Sequence, residues 1–157
     1  MRDIVSLIAC ILVCQAAGVL GSVFTVSSIP TWYAALEKPT FTPPSWIFAP
    51  VWIGLYTLMG ISLFLILRRG WDDRNVRLAV TAFILQLLLN ALWTPLFFGL
   101  HWLLPAFIEI LLLWVMIVIT ISLFYPLSRP AGLLLVPYAL WVSFAAVLNL
   151  SLWILNR

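Results

Sequence analysis

The stretch Leu103-Leu-Pro-Ala-Phe-Ile-Glu-Ile-Leu-Leu-Leu-Trp-Val-Met-Ile-Val-Ile-Thr-Ile-Ser-Leu-Phe-Tyr125 decides the reading of this chain. It holds one charged residue, Glu109, in an otherwise apolar run. At about 1.5 Å per residue a helix of this length crosses a hydrocarbon layer ~30 Å thick. A membrane barrel would instead show segments of roughly ten residues with alternating polarity. The run therefore reads as a transmembrane helix.

Four similar stretches surround it: Ile4 to Phe24, Trp46 to Leu67, Leu78 to Gly99 and Ala131 to Leu155. The composition agrees. Of 157 residues 65% are hydrophobic and 8% charged, and the mean hydropathy is +1.18. Soluble domains carry roughly 25% charged residues, which they need to cover their surface. These numbers exclude a soluble enzyme, a nucleic-acid binder and a secreted disulfide scaffold. The large repeat-built transporters are excluded too, since they need more spans than this length provides. The expected fold is an all-α membrane protein: a five-transmembrane-helix bundle forming one domain over residues 1–157. Met1-Arg2 before an apolar run suggests a signal peptide, but the run is too long and Asp3 interrupts its basic start.

Loop charges orient the bundle. With five spans, Arg2, Arg68, Arg69, Arg74, Arg77 and Arg129 share one side, and only Lys38 and Arg157 the other. Basic residues in short loops stay in the cytoplasm, so the N-terminus is expected there and the C-terminus outside. The +3 net charge is read as orientation rather than as a sign of an anionic partner.

One connection, Thr25 to Ser45, is long and carries Pro30, Pro39, Pro43 and Pro44. Residues 31–37 within it read as a separate short helix, started by Ser28 and Pro30 and stopped by Pro39. Its aromatic and proline content suggests a structured loop folded onto the bundle, and such loops are usually lids or binding elements.

Polar groups inside the hydrocarbon must find partners there, which makes them informative. Gln86, Asn90, Trp93 and Phe97 form one helical stripe; Trp52 and Tyr56 lie one turn apart; Pro137, Trp141 and Ala145 form a third row, with Tyr138 and Asn149 nearby. Trp32, Trp46, Trp71, Trp102 and Trp153 fall near span ends, where aromatic belts occur. Trp52, Trp93, Trp114 and Trp141 fall well inside. Two accounts of these rows stay open: interhelical hydrogen bonding, and a cavity in which rings stack on a flat ligand while a few donors orient it. Pro50, Pro95, Pro105 and Pro137 could kink four spans and help to open such a cavity.

Glu109 is the only acid inside a span, and the default for such a residue is a proton or cation site. A protonated carboxyl bonded to a neighbouring helix is the alternative. His101 reads as an interfacial histidine. Cys10, Cys14, Ala17, Gly18 and Gly21 form a small-residue packing face. No triad, phosphate loop, paired carboxylates or metal cluster can be assembled from five acids and one histidine.

The stretch Trp32-Tyr-Ala-Ala-Leu-Glu-Lys-Pro39 through Pro43-Pro-Ser-Trp46 to Trp52, continued by Leu55-Tyr56 and Met59-Gly60, resembles the signature of the TspO/MBR family. That family comprises bacterial tryptophan-rich sensory proteins and the translocator protein (peripheral benzodiazepine receptor). Gln86 to Phe98 and Leu135 to Asn149 match in the same order. The resemblance implies a five-helix bundle whose pocket the first long loop closes. It implies binding of porphyrins (protoporphyrin IX, haem-type tetrapyrroles) and of isoquinoline-carboxamide and benzodiazepine-type ligands, with no intrinsic cofactor or metal. By position, Trp32 and Trp141 match tryptophans tied to porphyrin binding and light-dependent breakdown. Trp52, Asn90 and Ala145 match pocket-lining positions. Tyr56, Trp93 and Tyr138 join these as candidate ligand-binding residues.

The expected function is a membrane receptor or carrier for porphyrins in tetrapyrrole homeostasis, transport or stress sensing. Light- and oxygen-dependent porphyrin degradation through Trp32 and Trp141, and proton-coupled transport through Glu109, are the alternatives. The expected setting is a prokaryotic cell membrane, with a homodimer in which the small-residue face of the first helix is one candidate contact. Sterol binding is in doubt, because Leu148-Asn149 is followed by Leu-Ser-Leu with no tyrosine before Arg157.

Overall fold

The computed structural model describes residues 2–157, all but the side chain of Arg2; Met1 and that side chain, which enters the loop-charge count, lie outside the described residues. Helix α1 spans Arg2–Ser28, α2 Phe48–Leu67, α3 Arg74–Thr94, α4 Leu103–Leu127, α5 Arg129–Leu134 and α6 Val136–Leu155. Five segments are long and apolar enough to cross a membrane, the fifth made of α5 and α6 together.

The first span overruns its expected end. After α1 the backbone widens into a π-helical turn at Ile29–Tyr33 and stays helical through residues 34 and 35. The expected separate helix over 31–37 is therefore a continuation of the first span. Pro30 has no N–H to give to the ladder, and it stands where the hydrogen-bond pattern changes. Only residues 36–44 are left as irregular backbone before a 3-10 turn at Ser45–Ile47 leads into α2. Pro95 plays the same part at the end of α3, opening a second π turn at Pro95–Gly99. The Ser28 hydroxyl donates to the Phe98 carbonyl (2.7 Å), which ties the two π turns together.

The other three prolines expected to kink spans stand in opening turns instead. Pro50 and Pro105 are the third residues of α2 and α4, and Pro137 the second of α6. In an opening turn the missing N–H has little to bond. The fifth span breaks at Leu135, between α5 and α6.

Helix α1 lies against α2 and α3, α3 against α4, and α4 against α5 and α6. The small-residue face makes the first of these contacts. Cys10, Cys14 and Ala17 are buried, a Cβ on Gly60 would meet the Ile11 backbone at 2.5 Å, and the ring of Tyr56 fills the space over Gly18. That face is spent within the chain, so it is not free for the dimer contact expected of it. Ser62 donates to the Ala131 carbonyl (2.7 Å), joining α2 to α5, and the Phe83 and Phe124 rings stack between α3 and α4.

Asp73 caps α3 by accepting from the Asn75 N–H (2.8 Å), and Gly70, at φ +101°, lets the short turn before it reverse. At this end Arg68 pairs with Asp3 across 3.7 Å, both groups exposed.

Candidate functional site

A cavity of about 420 Å³ lies inside the bundle, bounded by α1, α2, α3, the second π turn, α4 and α6. This is within the range of roughly 300–1,000 Å³ typical of small-molecule sites. The first span, α1 and the π turn after it, supplies Gly18, Ser22, Val26, Ile29 and Tyr33, spaced at three or four residues along one face. Helix α2 adds Phe48, Trp52 and Tyr56; α3 adds Asn90 and Trp93; α6 adds Trp141, Ala145 and Asn149. No Asp, Glu, Lys, Arg or His is among the lining residues.

Aromatic contacts shape the walls. Trp52 stacks on Tyr56 with centroids 5.4 Å apart, Phe48 meets Trp141 edge-on at 6.0 Å, and Trp93 stacks on Phe97 at 4.8 Å. Val19, Val26 and Ile53 border the cavity yet are 64%, 73% and 59% exposed, so it reaches the bundle surface between α1 and α2.

Four polar side chains of the wall are occupied with one another. Asn90 accepts from the Tyr56 hydroxyl and donates to that of Tyr138 (3.0 Å), so one amide joins three spans. Asn149 accepts from the Trp93 indole (3.2 Å) and donates to the Leu103 carbonyl (2.9 Å). Interhelical bonding and a cavity are thus both present: hydrogen-bonded residues form part of the cavity wall. By contrast, the indole nitrogens of Trp52 and Trp141 have no partner among the described residues.

Of the eight residues singled out from the sequence, Trp52, Tyr56, Asn90, Trp93, Trp141 and Ala145 line the cavity. Tyr138 is fully buried behind the wall, edge-on to Trp52. Trp32 is outside it, stacked on His101 at 4.1 Å and edge-on to Phe97. His101 has a left-handed backbone, φ +58°. Trp114 donates to Ser143 (2.7 Å) across α4 and α6, on a face 39% exposed, and takes no part in the cavity.

Sequence reasoning passed over Tyr33. Its ring lines the cavity, it is 6% exposed, and its hydroxyl is buried without a partner. The usable signal was the row Val26, Ile29, Tyr33, visible only if the helix continues through Pro30. Two more groups are buried and unpartnered: the Gln86 amide and both carboxyl oxygens of Glu109. Glu109 shares the inward face of α4 with Leu113, which lines the cavity.

Five apolar spans around an uncharged, tryptophan-lined cavity define a class: helical membrane proteins with an apolar cavity inside the bundle. Residues 10–154 match the model of the TspO/MBR family, and the chain belongs to that family. It is similar to the tryptophan-rich protein TspO of Chlorobaculum tepidum, 43% identical over 99% of this chain and 98% of that one. Its likeness to the tryptophan-rich protein TspO of Archaeoglobus fulgidus is 44% over 98% and 99% of the two chains. The sheep translocator protein is 38% identical over 90% of this chain and 85% of its own.

Proposed function

We propose that this protein is a receptor or carrier that takes porphyrins, and related flat hydrophobic ligands, from the membrane into the cavity. The observation that carries this reading is the wall itself: Trp52, Trp93 and Trp141 around a space of about 420 Å³ without a charged residue. Indoles offer broad stacking faces, and offset-stacked or edge-on aromatic pairs gain about 0.5–1.5 kcal/mol beyond burial. The unspent Trp52 and Trp141 nitrogens can donate to the ligand. Asn90 and Tyr56 set the wall's shape, their polar atoms being held by each other.

Titration of purified protein with protoporphyrin IX, followed by tryptophan fluorescence, tests this. The Trp52→Ala, Trp141→Ala double variant is expected to bind at least tenfold more weakly. Unchanged affinity in that variant would remove the assignment. The basic rim formed by Arg68, Arg69, Arg74, Arg77 and Arg129 supports a cytoplasmic N-terminus, and the bacterial and archaeal relatives support a prokaryotic cell membrane.

One observation favours light-driven porphyrin breakdown as a second reading: the oxidisable Trp141 ring faces the cavity. Trp32, separated from it by Phe97, would act there only at second hand. Product spectra after illumination, wild type against Trp141→Phe, distinguish breakdown from binding alone.

A further inference from the structure

Part of the cavity's hydrogen-bonding capacity is unused. Asn90 and Asn149 are spent within the wall, as is the Trp93 indole. What remains includes the Trp52 and Trp141 indoles, which can only donate, the hydroxyls of Ser45 and Thr94, and the hydroxyl of Tyr33, nine-tenths buried and unpaired. A buried hydroxyl without a partner is costly, and native structures seldom leave one unexplained.

Lys38, the single lysine of the chain, sits over the Tyr33 ring with its ammonium 5.0 Å from the centroid. The ammonium donates to the carbonyls of Ala34 and Leu36, 3.1 Å each, which fixes its position and leaves one of its three N–H groups unspent. It has no carboxylate partner; the ion pair between Arg68 and Asp3 is the one found among the described residues, at the other end of the bundle. The backbone next to it is held as well, since Glu37 is bonded in both directions to Asn156 at the end of α6. A half-buried, positioned ammonium beside an unpaired phenol matches a group that carries one negative charge and accepts from two donors.

Resting on the reading of the cavity as a porphyrin-type site, we propose that Tyr33 and Lys38 form its carboxylate-reading end. The ligand is then a flat apolar ring system bearing at least one carboxylate. The ring fills the uncharged interior, and the acid reaches Lys38, which lies over the Tyr33 ring just outside the lining. A doubly charged phosphate fits less well, because a single ammonium faces it.

The test compares protoporphyrin IX with its dimethyl ester, which keeps the ring and removes both charges. Binding to the full chain in lipid nanodiscs is measured for the wild type, Lys38→Gln, Lys38→Arg and Tyr33→Phe. The wild type is expected to prefer the diacid by roughly tenfold or more, as for a charge-assisted hydrogen bond. That ratio falls toward one in Lys38→Gln and in Tyr33→Phe, and Lys38→Arg restores most of it. A wild type that binds both equally, or a ratio the variants leave untouched, overturns the proposal while the porphyrin reading stands. A wild type that binds neither overturns both.

Discussion

Asn156 holds the backbone of Glu37 in both directions: it accepts from the Glu37 N–H (2.9 Å) and donates to the Glu37 carbonyl (2.9 Å). One side-chain amide thereby imitates a strand partner and fastens residues 36–44 to the far end of α6. Asn156→Ala removes both bonds. Because net hydrogen bonds contribute about 0.5–1.5 kcal/mol each, the Glu37 amide is expected to exchange with solvent roughly tenfold or more faster. Hydrogen exchange by mass spectrometry checks this; an unchanged rate would mean that the loop is held by its packing alone.

Asn90→Leu should be severe. It strands two hydroxyls, those of Tyr56 and Tyr138, both in buried residues. Each unpaired buried hydroxyl costs about 1–3 kcal/mol, so a loss of about 2–6 kcal/mol is expected. Thermal unfolding in detergent measures it, and the Tyr56→Phe, Tyr138→Phe background should return most of the loss.

Gly60 bears on α1 through its missing side chain. A Cβ there would stand 2.5 Å from the Cα and 2.8 Å from the N of Ile11, neither of which can rotate away. Gly60→Ala is therefore expected to destabilise by about 1–3 kcal/mol, against the gain in helix propensity that alanine brings to an exposed site. The same change at Gly54, where nothing lies within 4 Å, should be neutral or slightly stabilising.

Trp114 and Trp141 look alike in sequence and are expected to behave differently. Trp114→Phe removes one interhelical bond to Ser143, and such bonds average about 0.6 kcal/mol, so stability should fall slightly and ligand affinity stay as it was. Trp141→Phe leaves stability nearly unchanged and weakens porphyrin binding several-fold. Equal affinity losses in both would contradict the cavity assignment.

Glu109 is 6% exposed and neither carboxyl oxygen has a partner. Replacing an unsatisfied buried polar group by an apolar one of similar size relieves that cost, so Glu109→Leu is expected to raise stability by about 1–2 kcal/mol. A drop in melting temperature would show that the carboxyl is bonded in the membrane. Solute transport in vesicles that is indifferent to Glu109→Gln would count against the proton-coupled reading.

The five spans were legible because lipid imposes one signal, about 20 apolar residues, on every segment that crosses it. The end of the first span was not. Pro30 reads as a helix starter, and only the π turn around it keeps the chain helical to residue 35. That error hid Tyr33, while its neighbour Trp32 was chosen through the family resemblance; adjacent residues on a helix point about 100° apart. Asn90 and Trp93 were visible by period, but their partners Tyr138 and Asn149 are set by how α3 meets α6, which no local pattern encodes. For the same reason Trp114 could not be told from Trp141: Ser143, which occupies its nitrogen, lies 29 residues away.

The exposed cavity-lining residues Val19, Val26 and Ile53 mean that lipid closes part of the gap between α1 and α2. For a ligand that dissolves in the bilayer, the relevant concentration is then its mole fraction among lipids, not its molarity in the buffer. Two laboratories using different lipid-to-protein ratios would obtain different dissociation constants for one and the same site. Affinities of this protein become comparable only when expressed per lipid, and a change of bilayer thickness or composition acts on them as directly as a mutation.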